Sequence, residues 1–184
     1  MNRHIQKGFT LIELFIALSV AAILLTLAMP SFSTLTMNKR ITTQTNDFIV
    51  SLALARAEAL KRVRRVTVCP SANGSSCAGS ADWEQGWIVF ANLDDDATVD
   101  SGEVILQAHS ALDGGNTLRG SANVASYISF LSSGSARLIG GAFQSGTLVL
   151  CDERGAGDHA RAINLSVTGR SRVEYTAPDT CAPA

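Results

Sequence analysis

An apolar run near the N-terminus constrains this chain more than any other feature of its sequence. Residues 9–29 contain one charged side chain, Glu13. At about 1.5 Å of rise per residue, a helix of this length crosses a hydrocarbon layer about 30 Å thick. The basic residues Arg3 and Lys7 before the run predict a cytoplasmic N-terminus, with the chain beyond Pro30 on the other side. We therefore expect a membrane-spanning helix over residues 9–29.

A cleaved secretory signal peptide is the alternative interpretation of this run. The apolar region of such a peptide is usually about 7–15 residues long, which the run exceeds, and Ala28-Met29-Pro30 is a poor cleavage site. The carboxylate of Glu13 is a second difference, because placing it in a membrane costs about 2.5–3.5 kcal/mol unless it has a partner. We therefore expect the helix to be retained and Glu13 to meet a partner.

The chain beyond Pro30 divides into a helical part and a strand-rich part. Over residues 30–65, apolar residues recur at helical intervals, at Ile41, Phe48, Leu52, Ala55 and Ala59. We expect this amphipathic segment to continue the first helix, kinked at Pro30. Turn residues then separate short segments with strand periodicity, at residues 66–69, 87–91, 103–107, 125–131, 136–139, 147–151, 162–167 and 170–175. The prediction is an α+β fold, a long kinked helix packed on antiparallel β-sheets formed by residues 66–184.

Four cysteines, Cys69, Cys77, Cys151 and Cys181, lie in the part expected outside the cytoplasm, where disulfides persist. Of the three possible pairings we favour Cys69–Cys77, which closes a short loop, and Cys151–Cys181, which ties the C-terminal tail to a strand. A zinc site is the alternative, but the sequence has no Cys-x-x-Cys spacing and three histidines in all. We therefore expect two structural disulfides and no metal at these residues.

Charge is distributed unevenly along the chain. The 15 basic and 16 acidic residues give a net charge of -1, which excludes a uniformly basic nucleic-acid-binding protein. From Val66 onward there are 13 acidic residues against six arginines. Basic residues concentrate within residues 56–65 and 119–172, whereas residues 82–103 hold seven acidic residues and no basic one. Any phosphate binding must therefore come from a local basic patch.

The acidic segment 92–103 has a partial calcium-loop pattern. Oxygen-bearing residues occupy the ligand offsets of an EF-hand, at Asn92, Asp94, Asp96, Thr98, Asp100 and Glu103. However, Ala97 stands where the loop needs a glycine, and the flanking segments are predicted strands rather than helices. We favour a solvated loop without a metal, with calcium as the alternative.

The sequence contains no recognisable catalytic motif. His109 and His159 have no partner residues at a diagnostic spacing, and no nucleophile elbow, paired metal ligands or phosphate-binding loop is present. We therefore expect a protein that is not an enzyme and that binds no cofactor.

The segment Gly169-Arg170-Ser171-Arg172 is the strongest candidate for a local basic patch. In a strand, Arg170 and Arg172 point to the same face, so both guanidiniums can contact phosphates while Gly169 allows a close backbone approach. Three further basic residues would extend the patch, namely Arg161, Arg119 and Lys61. The alternative, which the spacing by itself favours, is that exposed arginines only keep a sheet edge soluble.

The residues before and within the apolar run resemble a known processing site. Lys7-Gly8-Phe9-Thr10-Leu11-Ile12-Glu13-Leu14 is similar to the site in type IV pilins and type II secretion pseudopilins. The resemblance implies that a prepilin peptidase removes residues 1–8 by cutting between Gly8 and Phe9, and then methylates the new N-terminus. It also implies that Glu13 meets the charged N-terminus of a neighbouring subunit, with major and minor pilins as partners.

Three further segments extend the likeness over nearly the whole chain. V-T-V-C-P-S at residues 66–71, D-W-E-Q-G-W-I-V-F at residues 82–90 and G-R-S-R at residues 169–172 resemble the GspH/FimT family of minor pilins. This resemblance implies a pilin-like fold, anchored in the inner membrane with a periplasmic domain before assembly into a pilus or pseudopilus. The G-R-x-R form implies a FimT-like minor pilin that binds DNA non-specifically for natural transformation. The alternative is a tip subunit of a pilus or secretion pseudopilus that primes assembly through protein contacts alone.

Overall fold

The first element of the fold is a long helix. In this computed structural model, which describes residues 9–79, 82–175 and 180–181, α1 extends from Leu11 to Arg62 over 52 residues. The helix includes Pro30, so the expected continuation past the proline is present, and the kink stays a prediction. Among the residues described, no helix combines the length and the apolar character needed to cross a membrane.

Thr10 and Glu13 close the first turn of α1. The backbone N–H and the hydroxyl of Thr10 each donate to Glu13 Oε2 at 2.9 Å, and the N–H of Glu13 donates to Thr10 Oγ1 at 3.3 Å. This reciprocal pair is a capping box, which satisfies donors that have no partner inside a helix. The carboxylate of Glu13 therefore has a partner within its own chain.

The later turns of α1 bury one face against the strands. The apolar residues of the predicted stripe are all buried, at Ile41, Phe48, Leu52, Ala55 and Ala59. The ring of Phe48 meets Trp83 and Trp87 edge-on, with ring centroids 5.2 and 5.0 Å apart. Because a fully buried large apolar side chain contributes about 1.5–3 kcal/mol, this stripe fixes the helix on the sheets.

In the described part of the chain, eight strands form two antiparallel sheets. The first sheet has the order β3-β2-β1-β5 and the second β4-β6-β7-β8. The strand bounds are β1 Val66–Pro70, β2 Trp87–Ala91, β3 Ile105–His109, β4 Thr117–Gly120, β5 Ile128–Phe130, β6 Gly146–Cys151, β7 Arg161–Leu165 and β8 Ser171–Glu174. The short 3-10 helices Trp83–Gln85 and Ala122–Val124 lie between strands. The long helix on antiparallel sheets confirms the predicted α+β class.

The strands differ from the prediction at two places. Residues 136–139 form no strand, because tight turns on either side leave Ala136 and Arg137 only isolated bridges, to Phe130 and Phe143. The sequence does not predict β4, because Thr117–Gly120 is four residues long and ends in a glycine. Most of the remaining strand ends shift by one to three residues, as expected where frayed ends carry little pattern.

Two disulfides join the cysteines in the favoured pairing. Cys69 is bonded to Cys77 with 5.6 Å between their Cα atoms, and Cys151 to Cys181 with 5.8 Å. The first closes the loop after β1. The second ties a residue near the C-terminus to the end of β6, where Cys181 packs against a small cluster that includes Val149 and Ala160.

The turn between β7 and β8 depends on Gly169. The N–H of Gly169 donates to Ser166 O, and the N–H of Ser166 donates to Arg170 O, both at 2.9 Å. Gly169 has a φ of 75°, in the left-handed region that strains other residues. Its Cα faces the carbonyl of Gly134 so closely that no Cβ fits. The glycine therefore allows a close approach to the protein's own backbone at Gly134, and an approach to a ligand stays a prediction.

Replacing Gly169 with alanine should destabilise the protein by about 2–4 kcal/mol, because backbone strain adds to the overlap with Gly134. Gly115→Ala is the matched control, since Gly115 has a similar φ of 68° and nothing lies within 4 Å of an added Cβ. The control should lose only the strain, about 1 kcal/mol. Urea denaturation of both full-length variants measures the difference, and equal losses would show that the Gly134 contact is unimportant.

Candidate functional site

Arg170 and Arg172 lie side by side on the β7–β8 hairpin. Arg170 directly precedes β8, Arg172 is its second residue, and both side chains are exposed. Asn164 of β7 is the register partner of Arg172. Because side chains alternate along a strand, Arg170, Arg172 and Glu174 share one face. Within the described part of the chain, neither guanidinium has a hydrogen-bond or ion-pair partner, so the donors of both are available to a ligand.

A shallow cavity of 540 Å³, lined mainly by polar and charged residues, covers this face of the hairpin, and we refer to it as the hairpin groove. Its lining residues are Asn164, Leu165, Ser166, Arg170, Ser171, Arg172 and Glu174. Two guanidiniums beside hydroxyl and amide groups form a surface that can hold phosphate oxygens. The carboxylate of Glu174 opposes an anion at the far end, so the favourable part of the groove is the end nearest Arg170.

A second cavity, of 560 Å³, shares Arg170 and Ser171 with the hairpin groove, and we refer to it as the helix cleft. It is lined by Ile49, Ala53, Arg56, Ala57 and Leu60 of α1 and by Gly169, Arg170 and Ser171. The Nε of Arg56 donates to Gly134 O at 2.9 Å. The sequence prediction missed Arg56 as a site residue. The available signals were its place in the basic segment 56–65 and its helical spacing from Ala53 and Leu60.

The structure does not bring Arg119 to the hairpin. Arg119 lies on β4, at the opposite edge of the second sheet from β8. Its guanidinium is bound by the carboxylates of Asp82 and Glu84, with Arg119 Nη2 2.6 Å from Glu84 Oε1. Its charge is therefore already neutralised, and Arg119 does not extend the patch.

Lys61 and Arg161 are also engaged elsewhere. Lys61 Nζ lies 3.2 Å from Glu58 Oε1, and hydrogen bonds from Arg62 and Lys61 hold the pKa of the Glu58 carboxyl below its usual value. Arg161 Nη1 donates to the carbonyls of residues 158, 159 and 160, and its guanidinium lies 5.1 Å from the centre of the Tyr175 ring. Neither residue lines the hairpin groove or the helix cleft.

The acidic loop 92–103 gathers three exposed carboxylates, those of Asp94, Asp96 and Asp100, whose oxygens lie within 4.8 Å of one another. The two end residues of the loop hold it closed. Asn92 Nδ2 donates to Thr67 Oγ1, and the carboxylate of Glu103 accepts the N–H of Leu93 and of Asp100.

Within the acidic loop, the side chain of Asp96 accepts the N–H and the hydroxyl of Thr98, and these bonds lower the pKa of its carboxyl. Asp95 points out of the cluster and pairs with Arg65 at 2.6 Å. Hydrogen bonds within the protein account for this conformation. The choice between a solvated loop and a calcium loop stays a prediction.

The predicted processing residues fall at the edge of the described chain. Gly8 lies outside the described residues. Phe9 is exposed, and Glu13 forms the capping box with Thr10. The cut between Gly8 and Phe9 leaves Thr10 and Glu13 in place, so the capping box is compatible with removal of residues 1–8.

Comparison with solved structures identifies the fold. A crystal structure of the type IV minor pilin FimU of Pseudomonas aeruginosa superimposes with a TM-score of 0.62 at 19% identity, covering 80% of this chain and 98% of that one. A second crystal form of FimU gives a TM-score of 0.59 at 19% identity, with coverage of 76% and 98%. The minor pseudopilin EpsH from the Type 2 Secretion System of Vibrio cholerae gives 0.49 at 14% identity, with coverage of 76% and 98%.

Comparison of the sequence identifies the family. Residues 44–169 match the family described as Type II transport protein GspH, and residues 3–29 match the prokaryotic N-terminal methylation motif. No individual curated protein matches the sequence significantly. The family match covers more than half of the chain, and it agrees with the pilin-like fold. The chain therefore belongs to the family of the Type II transport protein GspH.

Proposed function

We propose that this protein is a minor pilin that binds extracellular DNA weakly and without sequence preference, for uptake in natural transformation. The observation that carries the proposal is the pair of exposed, unpartnered guanidiniums of Arg170 and Arg172 on one face of the hairpin. Contacts from arginine to phosphate position a protein on DNA without reading its sequence. The role is structural, with no catalytic step and no cofactor.

The strength of binding follows from the small number of free cations. Because Arg119, Lys61 and Arg161 are engaged elsewhere, the hairpin offers Arg170 and Arg172, with Arg56 beside them. The slope of log K against log salt is about -0.9 per phosphate contacted, so we expect about -2 to -3 overall. Affinity at physiological salt is then about micromolar or weaker. Several copies in one filament would raise the avidity without a better single site.

Replacing both hairpin arginines, Arg170→Gln with Arg172→Gln, should lower DNA affinity by at least about tenfold at low salt and reduce the salt slope by about 2. Fluorescence anisotropy of the full-length chain in a non-ionic detergent, titrated onto a labelled duplex, measures both quantities. The matched control is Lys39→Gln with Arg62→Gln, which removes the same charge from exposed positions of α1 outside the groove. If wild type fails to bind, or the hairpin and control variants behave alike, the DNA proposal is wrong.

Neutralising the acidic end of the hairpin groove should have the opposite effect. Glu174 is exposed and lines the groove together with Arg170 and Arg172. Glu174→Gln should raise the affinity for the same duplex about two- to threefold at low salt, and the gain should vanish as salt screens the charge. Asp113→Asn, an equal change of charge at an exposed position outside the groove, should have a smaller effect. Equal gains from the two variants would argue for a global charge effect only.

A minor pilin or pseudopilin that primes assembly through protein contacts alone is the second candidate. It is favoured by exposed apolar side chains in the C-terminal part of α1, where Val50 is 59% and Leu60 49% exposed. Such side chains are suited to a neighbouring subunit. The two functions share the same helix. The arginine variants separate them, because DNA binding plays no part in assembly through protein contacts alone.

The N-terminal segment supports processing and anchoring as in other pilins. We infer that a prepilin peptidase cuts between Gly8 and Phe9 and methylates Phe9, in agreement with the methylation motif over residues 3–29. The apolar part of α1 then anchors the chain in the inner membrane, with the β domain in the periplasm, until it joins a filament of major and minor pilins. In the filament Glu13 meets the charged N-terminus of a neighbour.

Two substitutions separate the charge of Glu13 from its capping role. Glutamine at this position preserves the capping box with Thr10 but removes the charge, whereas alanine removes both. If Glu13 pairs with a neighbour's N-terminus, both Glu13→Gln and Glu13→Ala should enter the membrane, but filament incorporation should fall at least about tenfold. Immunoblots of sheared filaments and of membranes compare the two pools. Normal incorporation of the glutamine variant would restrict Glu13 to its capping role.

A further inference from the structure

The hairpin groove and the helix cleft share one wall and differ in chemistry. Arg170 and Ser171 line both cavities. On one side of this wall are polar and charged groups of β7 and β8, including Arg172 and Asn164. On the other side is the exposed face of α1, which presents aliphatic side chains. A ligand that crosses the wall therefore meets a cationic polar surface and an apolar surface in succession.

The helix cleft has the character of a site for an apolar group. Ala53 and Ala57 line it with small side chains, and they lie between the larger Ile49 and Leu60 along α1. Arg56 enters from α1, and its planar guanidinium is held by the bond from Nε to Gly134 O. None of the described residues that line the cleft is acidic. An occupant with negative charge close to an apolar body is therefore favoured over a neutral or cationic one.

We propose that the helix cleft receives an unpaired nucleobase of single-stranded DNA while Arg170 and Arg172 hold the adjoining phosphates in the hairpin groove. A nucleotide has this division, a flat apolar base beside a charged phosphate. The base stacks on the guanidinium of Arg56 and packs on Leu60 and the alanines. This inference rests on the proposed function and adds the class of DNA that the site prefers.

The preference for single-stranded DNA follows from the pairing of the bases in a duplex. In a duplex the bases are paired and stacked, so a base enters the cleft only after unpairing, which costs a few kcal/mol. A duplex therefore uses the hairpin groove alone, and single strands or frayed ends use both cavities. A cation–π contact at an exposed site contributes about 0.5–1 kcal/mol, which corresponds to about a two- to fivefold gain in affinity.

The test compares two single strands with equal numbers of phosphates. Fluorescence anisotropy of the full-length chain in non-ionic detergent at low salt is measured with a labelled oligothymidylate and with an abasic strand of the same length. The oligothymidylate should bind about two- to fivefold more tightly, because only it supplies bases to the cleft. Equal affinity for the two strands would overturn the base-binding proposal and leave the proposed function standing.

Filling the cleft supplies the second comparison. Ala57→Leu places a larger side chain on the cleft floor at an exposed position of α1, where leucine is a good helix former. It should abolish the difference between the two strands without weakening binding of the abasic one. Thr43→Leu, at an exposed position of α1 outside the cleft, is the control and should preserve the difference.

Each of the remaining outcomes would assign a different occupant, or none, to the cleft. If Ala57→Leu leaves the difference between the strands intact, the base does not lie in the cleft. If it leaves DNA binding intact but reduces filament incorporation, the cleft belongs to a partner pilin, and the base-binding proposal is wrong. If wild type binds neither strand nor duplex, both this proposal and the proposed function fail.

Discussion

The burial of one face of α1 is the interaction on which the rest of the structure depends. Phe48 lies between Trp83 and Trp87, and the indole nitrogens of the two tryptophans donate to Val124 O and to Ser51 Oγ. The three aromatic side chains belong to one buried cluster that also includes Leu148 and Ile163 of the second sheet, so this cluster joins the helix to both sheets. Because only one face of α1 is buried, the other face stays exposed. The helix cleft is formed where that exposed face meets the β7–β8 turn.

Much of the fold and little of the site's environment was predictable from the sequence. The buried stripe of α1 and most of the strands follow from local periodicity, which a single sequence displays. The shared face of Arg170 and Arg172 also follows from the sequence, because residues two apart in a strand point to the same side. By contrast, the partners of Arg119 are 35 and 37 residues away in the chain, and the cleft around Arg56 combines α1 with a distant turn. Such contacts depend on tertiary packing, which local patterns do not encode.

In this domain arginine serves mainly to form hydrogen bonds and ion pairs within the protein. Arg65 is buried, and it joins Asp95, Ser129 and the carbonyl of Arg137. Burial of Asp152 opposes its ionisation, but hydrogen bonds from Arg154 outweigh that cost and keep the pKa of the Asp152 carboxyl below its usual value. Because these cations are neutralised locally, the net charge of the chain does not indicate which surface charges are available to a ligand. The hairpin differs because its two guanidiniums are not used in this way.

The disulfide between Cys151 and Cys181 limits how far the hairpin can be pulled away from the sheet. Its loop spans 30 residues and encloses both β7 and β8. β8 is an edge strand, so a pull on Arg170 or Arg172 loads its hydrogen bonds to β7 one after another, as in unzipping. If β8 detaches, the covalent link limits its extension and transfers the tension to the end of β6, an interior strand held between β4 and β7. A pull on the hairpin would thus strain the centre of the sheet rather than extract its edge.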